Sequence, residues 1–311
     1  MGDVLEFRPY KKPKRKQKKK RNTNRRGIHP VLFVLILIAI MSAYYLIQNG
    51  LGNIEQISYG SVYSMIEEGI LDNKTEIVIT THDEPETIGE ELVKVITAHP
   101  EVFWLTGGAT VSSMPNTAIP TYTLKLDSRC NKSDIPRMRE QLNVVVDKMV
   151  EATEASCNSD YEKAEYVHDL IALNCSYDYE TYRKSMIIQK GDSLAYSAYG
   201  CLVDGEAVCA GYAAAYKLVL NALDIECEVV SGTANNGDGV GNHGWNYIKL
   251  DDGYDFVDVT WDDPSYEGYP DSNTIRKDYF CLNTEMMSKD HFPDESEDVP
   301  YCDGRKYLNR I

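Results

Sequence analysis

Apolar residues are distributed unevenly along this chain, and their pattern predicts one membrane segment ahead of two folded regions. Residues 31–47 read VLFVLILIAIMSAYYLI and contain no charge. With the uncharged residues beside it, this run approaches the ~20 residues that a membrane-spanning helix needs. A buried core helix and a cleaved signal peptide are the alternatives, but the basic stretch before the run is long and no clear small-x-small cleavage site follows. We predict a transmembrane helix over residues 31–48.

Shorter patterns over residues 49–155 predict a juxtamembrane stalk and a small α+β region. Residues 87–98 place their apolar side chains on one helical face and stop before Pro100, and residues 134–155 suit a longer helix. Runs of β-prone residues predict strands at 76–80, 102–105 and 122–126. This region offers no catalytic group, so we look for chemistry in residues 156–311.

The pattern after residue 156 predicts helices packed on an antiparallel sheet. Ser159 and Glu162 have the spacing of a capping box, which begins a helix that runs through Leu173. Apolar residues recur with helical spacing after Cys209, and that helix ends near Asp224. A Gly/Asn-rich loop over 233–242 and strands at 226–230, 243–250 and 254–261 complete this region, and the last two strands form a hairpin.

Charge is as uneven as hydropathy. Residues 1–30 carry 12 Lys and Arg against 2 Asp and Glu, a net charge of +10; the whole chain carries −16, so residues 31–311 carry −26. The positive-inside rule places the basic tail in the cytoplasm and the acidic body outside the cell, as a single-pass protein of the cell membrane. The tail has few aromatic residues, so we expect it to bind no nucleic acid; it can also bind anionic lipid headgroups.

All eight cysteines lie beyond the predicted span, at Cys130, Cys157, Cys175, Cys201, Cys209, Cys227, Cys281 and Cys302. An extracellular location permits disulfides, although the sequence does not give their pairing. If Cys209 stays free as a nucleophile, at most three bridges form. No pair has C-x-x-C spacing, so we predict no structural zinc site. We also expect no other metal and no cofactor.

Cys209, His243 and Asp258 are the parts of a cysteine nucleophile, its base and the group that orients the base. Cys209 falls at a helix N-terminus, where exposed N–H groups and the helix dipole favour a thiolate. Alone, it would more often be a half-buried free cysteine or a disulfide partner. His168 also lies on an apolar helix face, where a histidine is more often a packed core residue.

The hairpin gives the three residues a common location. A two-residue turn at Asp251-Asp252 places His243 opposite Thr260, with Asp258 as its diagonal neighbour at about 7–8 Å on the same face. A turn shifted by one residue would move His243 and Asp258 further apart. We expect the first register, because it allows a His–Asp hydrogen bond.

Three segments resemble the transglutaminase-like superfamily, whose core is a variant of the papain-like fold. They are Val208-Cys209-x-Gly211-Tyr212-Ala213, His243-x-Trp245-Asn246 and Asp258-Val259-Thr260-Trp261-Asp262-Asp263-Pro264. The resemblance covers residues 160–292, and the basic tail and single span resemble the membrane-anchored bacterial members. Gly244 stands where family patterns often have Ala. The calcium sites of animal transglutaminases have no counterpart, and residues 235–239 suit a solvated turn better than a metal loop.

The resemblance implies an α+β enzyme that transfers an acyl group from a protein or peptide amide, including cell-wall peptides. Cys209 would be the nucleophile, His243 its base and acid, and Asp258 the orienting group. Tyr199 is the candidate for a second oxyanion donor, while Trp245 and Trp261 would pack beside the site and exclude water. The alternative is a non-catalytic binding or scaffold module on the same fold, with an unreactive or disulfide-bonded Cys209.

Overall fold

The structure, a computed structural model, describes residues 61–304 except 116, 189–191, 238, 252, 264 and 266–274. The basic tail and the predicted transmembrane segment, residues 31–48, lie outside these residues. Within the described part of the chain, no helix is both long and apolar enough to cross a membrane.

A small three-stranded antiparallel sheet with two helices forms the first described region. Its elements are α1 (Val62–Leu71), β1 (Glu76–Thr80), α2 (Pro85–Ala98), β2 (Leu105–Ser113) and β3 (Thr121–Ser128), and the strand order is β1–β3–β2. The predicted α2 buries its apolar face through Ile88, Leu92 and Val95. The strand predicted at 102–105 is wrong. Residues 102–104 are buried in a turn, and the strand begins only at Leu105. A run of apolar residues that is buried in a turn looks like a buried strand in the sequence, which explains the wrong prediction.

Helices, short turns, a two-stranded sheet and a five-stranded sheet make up the remaining described residues, so the mixed α+β class is confirmed. The helices are α3 (Ile135–Ser156), α4 (Asp160–Asn174), α5 (Tyr179–Ile188), α6 (Cys209–Ala222), α7 (Val259–Asp262) and α8 (Thr284–Met287), with a 3₁₀ turn (Leu194–Tyr196) and a π-helical turn (Gly200–Asp204). The strands are β4 (Ser176–Tyr177), β5 (Glu206–Ala207), β6 (Cys227–Asn235), β7 (Val240–Leu250), β8 (Gly253–Val257), β9 (Phe280–Leu282) and β10 (His291–Pro293). The domain boundary expected at residues 155/156 stays a prediction.

The large sheet is antiparallel with the order β10–β6–β7–β8–β9, and α6 packs across β6 and β7. On its other side α6 contacts α4. The capping box begins α4 as predicted, since Ser159 Oγ accepts the backbone N–H of Glu162. The first residue of α6 is therefore held between this helix layer and the sheet.

The β7–β8 hairpin has the predicted register, because Leu250 pairs with Gly253 and Asn246 pairs with Val257. Its strand bounds differ from the prediction in two ways. β6 and β7 extend into the expected loop, and β8 ends at Val257 instead of continuing to residue 261. The early end has a local cause, since the carboxylate of Asp258 caps the short helix α7. A strand pattern alone does not reveal such a cap.

Gly211 lies where α6 approaches the backbone of the 3₁₀ turn. A Cβ atom added there would be 2.4 Å from the Ala195 carbonyl oxygen, whereas one added at Gly244 would meet no atom closer than 3.8 Å. We predict that Gly211→Ala lowers the free energy of unfolding by about 1–3 kcal/mol through overpacking. Gly244→Ala, the matched control, should change it by less than about 0.5 kcal/mol.

Urea unfolding of both variants measures this difference. Equal midpoints for Gly211→Ala and the unsubstituted protein would show that the approach of α6 to the turn is not a tight packing constraint.

Candidate active site

Cys209 is the first residue of α6, and its thiol faces β7. Val208 precedes the helix in an extended conformation, and only 8% of Cys209 is exposed. The side chain of His243 and the backbone N–H of Gly244 both form hydrogen bonds with the sulfur. The helix start therefore places the thiol against two hydrogen-bonding groups of the neighbouring strand.

His243 lies on β7 and connects the thiol to a carboxylate. Its Nε2 is 2.7 Å from Asp258 Oδ2, so Nδ1 is the ring nitrogen left for the hydrogen bond with Cys209. The imidazole is 6% exposed. The three side chains thus form one hydrogen-bonded chain, Cys209–His243–Asp258.

Asp258 is fixed from all sides at the junction of β8 and α7. Its Oδ1 accepts the backbone N–H groups of Thr260 at 2.9 Å and Trp261 at 3.3 Å. Its Oδ2 faces Nε2 of His243 and, at 3.1 Å, Nε2 of His291. The residue that ends the strand is therefore also the residue that orients the histidine.

The electrostatic interactions among these three side chains favour a thiolate on Cys209 and an imidazolium on His243. Burial raises the pKa of the Cys209 thiol, but the charge of His243 and the hydrogen bonds from His243 and Gly244 outweigh it and hold that pKa below its usual value. Burial likewise disfavours charge on His243, while Asp258 and Cys209 raise its pKa to about 10. The pKa of Asp258 is lowered despite burial, because His243 and His291 stabilise the carboxylate.

The predicted wall residues have different positions. Trp245 and Trp261 flank the imidazole of His243, at ring-centroid distances of 6.0 and 5.3 Å. Tyr199 is not part of this arrangement, which corrects the prediction of an oxyanion donor. Its hydroxyl donates to Gln141 Oε1 at 3.0 Å, and its ring stacks on Phe103. Tyr199 thus connects the first described region to α3.

His168 is a buried, hydrogen-bonded core residue, as its helix face indicated. Its ring nitrogens lie 2.9 Å from Asp169 Oδ1 and 3.2 Å from Asp262 Oδ2. Burial lowers the pKa of His168, but the two carboxylates outweigh it and raise the pKa above its usual value. Through Asp262 it holds α7, the helix that Asp258 begins.

Two neighbours of the site were not found in the sequence. Tyr182 of α5 lies close enough to Cys209 for a thiolate charge to raise the pKa of its hydroxyl, in addition to the effect of burial. His291 on β10 contacts the same oxygen of Asp258 as His243 does, Oδ2. It follows Asp290 in a short polar segment, and no spacing in the sequence connects it to the other three residues.

His243, Asp258 and His291 are the described residues with a metal-like arrangement, since their ligand atoms lie within 4.8 Å of one another. Their mutual hydrogen bonds account for this proximity. All eight cysteines fall in the described part of the chain and are free thiols there.

The charge arrangement predicts how the reactivity of Cys209 depends on pH. The thiolate forms above the lowered pKa of Cys209, and His243 stays protonated up to about pH 10. Iodoacetamide should therefore alkylate Cys209 rapidly at pH 7, where an ordinary thiol with a pKa near 8.5 is only a few per cent ionised. Peptide mapping of the alkylated protein across pH 4–11 isolates this cysteine.

Cys157, which is partly exposed and whose pKa is raised by burial and by Glu162, is the internal reference. Parallel pH curves for the two cysteines would contradict the ion pair.

Comparisons with known proteins show which proteins resemble this chain. Residues 147–260 match the family model of the transglutaminase-like superfamily. Kyphoscoliosis peptidase of Mus musculus is 24% identical over 184 residues, which cover 55% of this chain and 25% of the relative. The Homo sapiens protein is 22% identical over 199 residues, covering 60% and 29%. This chain therefore spans about a quarter of the length of these relatives. A solved TGase structure is 16% identical and covers 65% of this chain and 53% of its own, with a TM-score of 0.34.

Proposed function

We propose that this protein, whose residues 147–260 match the family model of the transglutaminase-like superfamily, is a cysteine enzyme that takes an acyl group from a protein or peptide amide. The observation that carries the proposal is the hydrogen-bonded chain Cys209–His243–Asp258 at the start of α6. A helix N-terminus, a base and a fixed carboxylate are the parts that activate a thiol as a nucleophile.

The reaction follows from the positions of the protons. The Cys209 thiolate attacks the amide carbonyl carbon, and a tetrahedral oxyanion forms. Collapse of this intermediate breaks the C–N bond, and His243 gives its proton to the leaving amine while the thioester remains on sulfur. Water or a second amine then attacks the thioester, loses a proton to His243 and releases Cys209.

The backbone N–H of Cys209 lies at the helix start and is the first candidate donor to the oxyanion. The proposal does not include Tyr199, whose hydroxyl is bound to Gln141. Trp245 and Trp261 pack on the imidazole of His243, which supports their role in excluding water from it.

Hydrolysis and amine transfer share this chemistry and differ in the acceptor. The curated relatives are called peptidases, which favours water as the acceptor, whereas the matching family is named for amine transfer. We propose an amide-directed acyltransferase or hydrolase and leave the acceptor to experiment.

The test uses the full chain in a mild detergent, mixed with a glutamine-containing protein digest with and without a labelled primary amine. Products are read by mass spectrometry, and Cys209→Ala protein is the control. Amine incorporation identifies a transglutaminase, a gain of about one mass unit per glutamine identifies a deamidase, and backbone cleavage identifies a peptidase.

Absence of every product, together with a Cys209 that resists iodoacetamide at pH 7, would contradict the enzyme proposal. That pair of results would favour a non-catalytic binding or scaffold module on the same fold.

We propose that the site faces the exterior of the cell, with residues 31–48 as its anchor. The uncharged run and the +10 charge of the preceding 30 residues support this orientation. Protease added to intact cells should digest an epitope tag fused after residue 311 and spare one fused before residue 1. Protection of the C-terminal tag would contradict the orientation, and its release into the medium would indicate a cleaved signal peptide.

A further inference from the structure

His291 is a fully buried histidine whose Nε2 shares Asp258 Oδ2 with Nε2 of His243. Its Nε2 lies 3.1 Å from Asp258 Oδ2, and its Nδ1 lies 2.7 Å from Asp290 Oδ1. The second oxygen of Asp290 accepts the Tyr279 hydroxyl at 2.8 Å. The hydrogen-bonded chain that begins at Cys209 therefore continues to Tyr279.

The packing around His291 holds its ring in one orientation. Trp261 and Trp245 lie 4.4 and 5.0 Å from its centroid, and Tyr279 lies 5.3 Å away. Both ring nitrogens face a carboxylate oxygen, and only an N–H group donates to a carboxylate. The ring thus bridges the carboxylates of Asp258 and Asp290.

A second donor changes what Asp258 can do. Its two oxygens receive four N–H groups, namely two backbone groups from α7 and one ring N–H each from His243 and His291. A carboxylate with all four of its acceptor positions used cannot rotate. The Nε2–H group of His291 also shares the negative charge of Asp258 with His243, since both rings face Oδ2.

We propose that His291 is a positioning residue, which fixes the carboxylate of Asp258 and keeps the Cys209–His243 ion pair in its reactive geometry. The inference rests on the proposed function and adds a fourth residue to its site. The groups that face His291 are Asp258 after β8, Asp290 before β10, the Tyr279 hydroxyl through Asp290, and the ring of His243 at 5.3 Å. Its role is to hold Asp258, and it does not touch the substrate.

Two polar substitutions separate the two hydrogen bonds of His291. The amide nitrogen of Gln reaches the position of Nε2 and can still donate to Asp258, whereas that of Asn reaches only the position of Nδ1 and Asp290. We expect His291→Asn to lower kcat by about 10- to 100-fold, the value of one hydrogen bond to a charged group. His291→Gln should stay within about fivefold of the unsubstituted protein, with KM changed less than about twofold in both variants.

The alkylation of Cys209 by iodoacetamide provides a readout that a purely structural role would not change. A carboxylate that is no longer fixed supports the Cys209–His243 ion pair less well, so the acid limb of the pH curve should move to higher pH in His291→Asn. The shift should be smaller in His291→Gln. Phe292→Leu, a change at the half-exposed next residue of β10, is the matched control and should leave the curve unchanged.

Equal kcat values and equal pH curves for the Asn and Gln variants, with intact thermal unfolding, would overturn the proposal. If the unsubstituted protein shows no turnover, the proposed function fails, while the alkylation curves still decide whether His291 positions the ion pair. The two failures are therefore distinguishable.

Discussion

Replacing Cys209 by alanine will lower turnover by about 10⁵- to 10⁶-fold, which is the cost of removing the nucleophile from a comparable catalytic triad. No other thiol can substitute, because the Cys209 sulfur is the one that His243 and the Gly244 N–H contact. Cys209→Ser should lose nearly as much activity, since a hydroxyl is far less acidic than a thiol and His243 cannot hold it as an anion. Single-turnover assays with the best substrate of the product screen measure both losses.

Cys157→Ala is the matched control, because Cys157 lies between α3 and α4 and is partly exposed. It should retain full activity and unfold at the same urea concentration. Activity in Cys209→Ala protein within about tenfold of the unsubstituted level would mean that another group attacks the substrate.

Replacing Asp258 by asparagine will lower kcat by about 10⁴-fold, the loss measured when the orienting aspartate of a serine protease triad is amidated. The side-chain oxygen of asparagine can still cap α7 through the N–H groups of Thr260 and Trp261. The amide nitrogen then faces Nε2 of His243 and forces the tautomer that carries its proton on Nδ1. That tautomer cannot accept a proton from the thiol of Cys209.

The variant should remain folded, so its loss of activity should greatly exceed its change in stability. Asp255→Asn is the control, since Asp255 is another buried aspartate, on β8. Burial raises the pKa of Asp255 to about 6, so a neutral amide suits that position. Similar losses in both variants would indicate a general effect of removing buried carboxylates.

The sequence predicts the parts of this site whose positions depend on local rules. The pairing of Leu250 with Gly253 leaves two residues between β7 and β8, and a connection of this length determines the register that brings Asp258 near His243. The capping box and the amphipathic stripe after Cys209 locate the starts of α4 and α6 for similar reasons. These features depend on residues close together in the chain.

The parts that were missed depend on contacts between distant segments. His291 lies 33 residues after Asp258 in the chain and contacts it because β10 pairs with β6. No local sequence pattern predicts that pairing. Tyr199 precedes the nucleophile in the sequence, as an oxyanion donor could, but its hydroxyl donates a hydrogen bond to Gln141 on α3 instead. The β-prone residues after Asp258 favour a longer strand, but β8 ends before Asp258. The side chain of Asp258 instead accepts the backbone N–H groups of the next turn.

The position of β10 at the edge of the large sheet limits how far the protein can be truncated from its C-terminal side. A fragment that stops at residue 260, where the family match ends, would lack β9 and β10, and β6 would become an exposed edge with unpaired N–H and C=O groups. Such an edge pairs readily with other chains, so that fragment should form insoluble aggregates even though it contains Cys209, His243 and Asp258. A soluble recombinant domain should therefore extend beyond Pro293, which keeps the covering strand and His291 together.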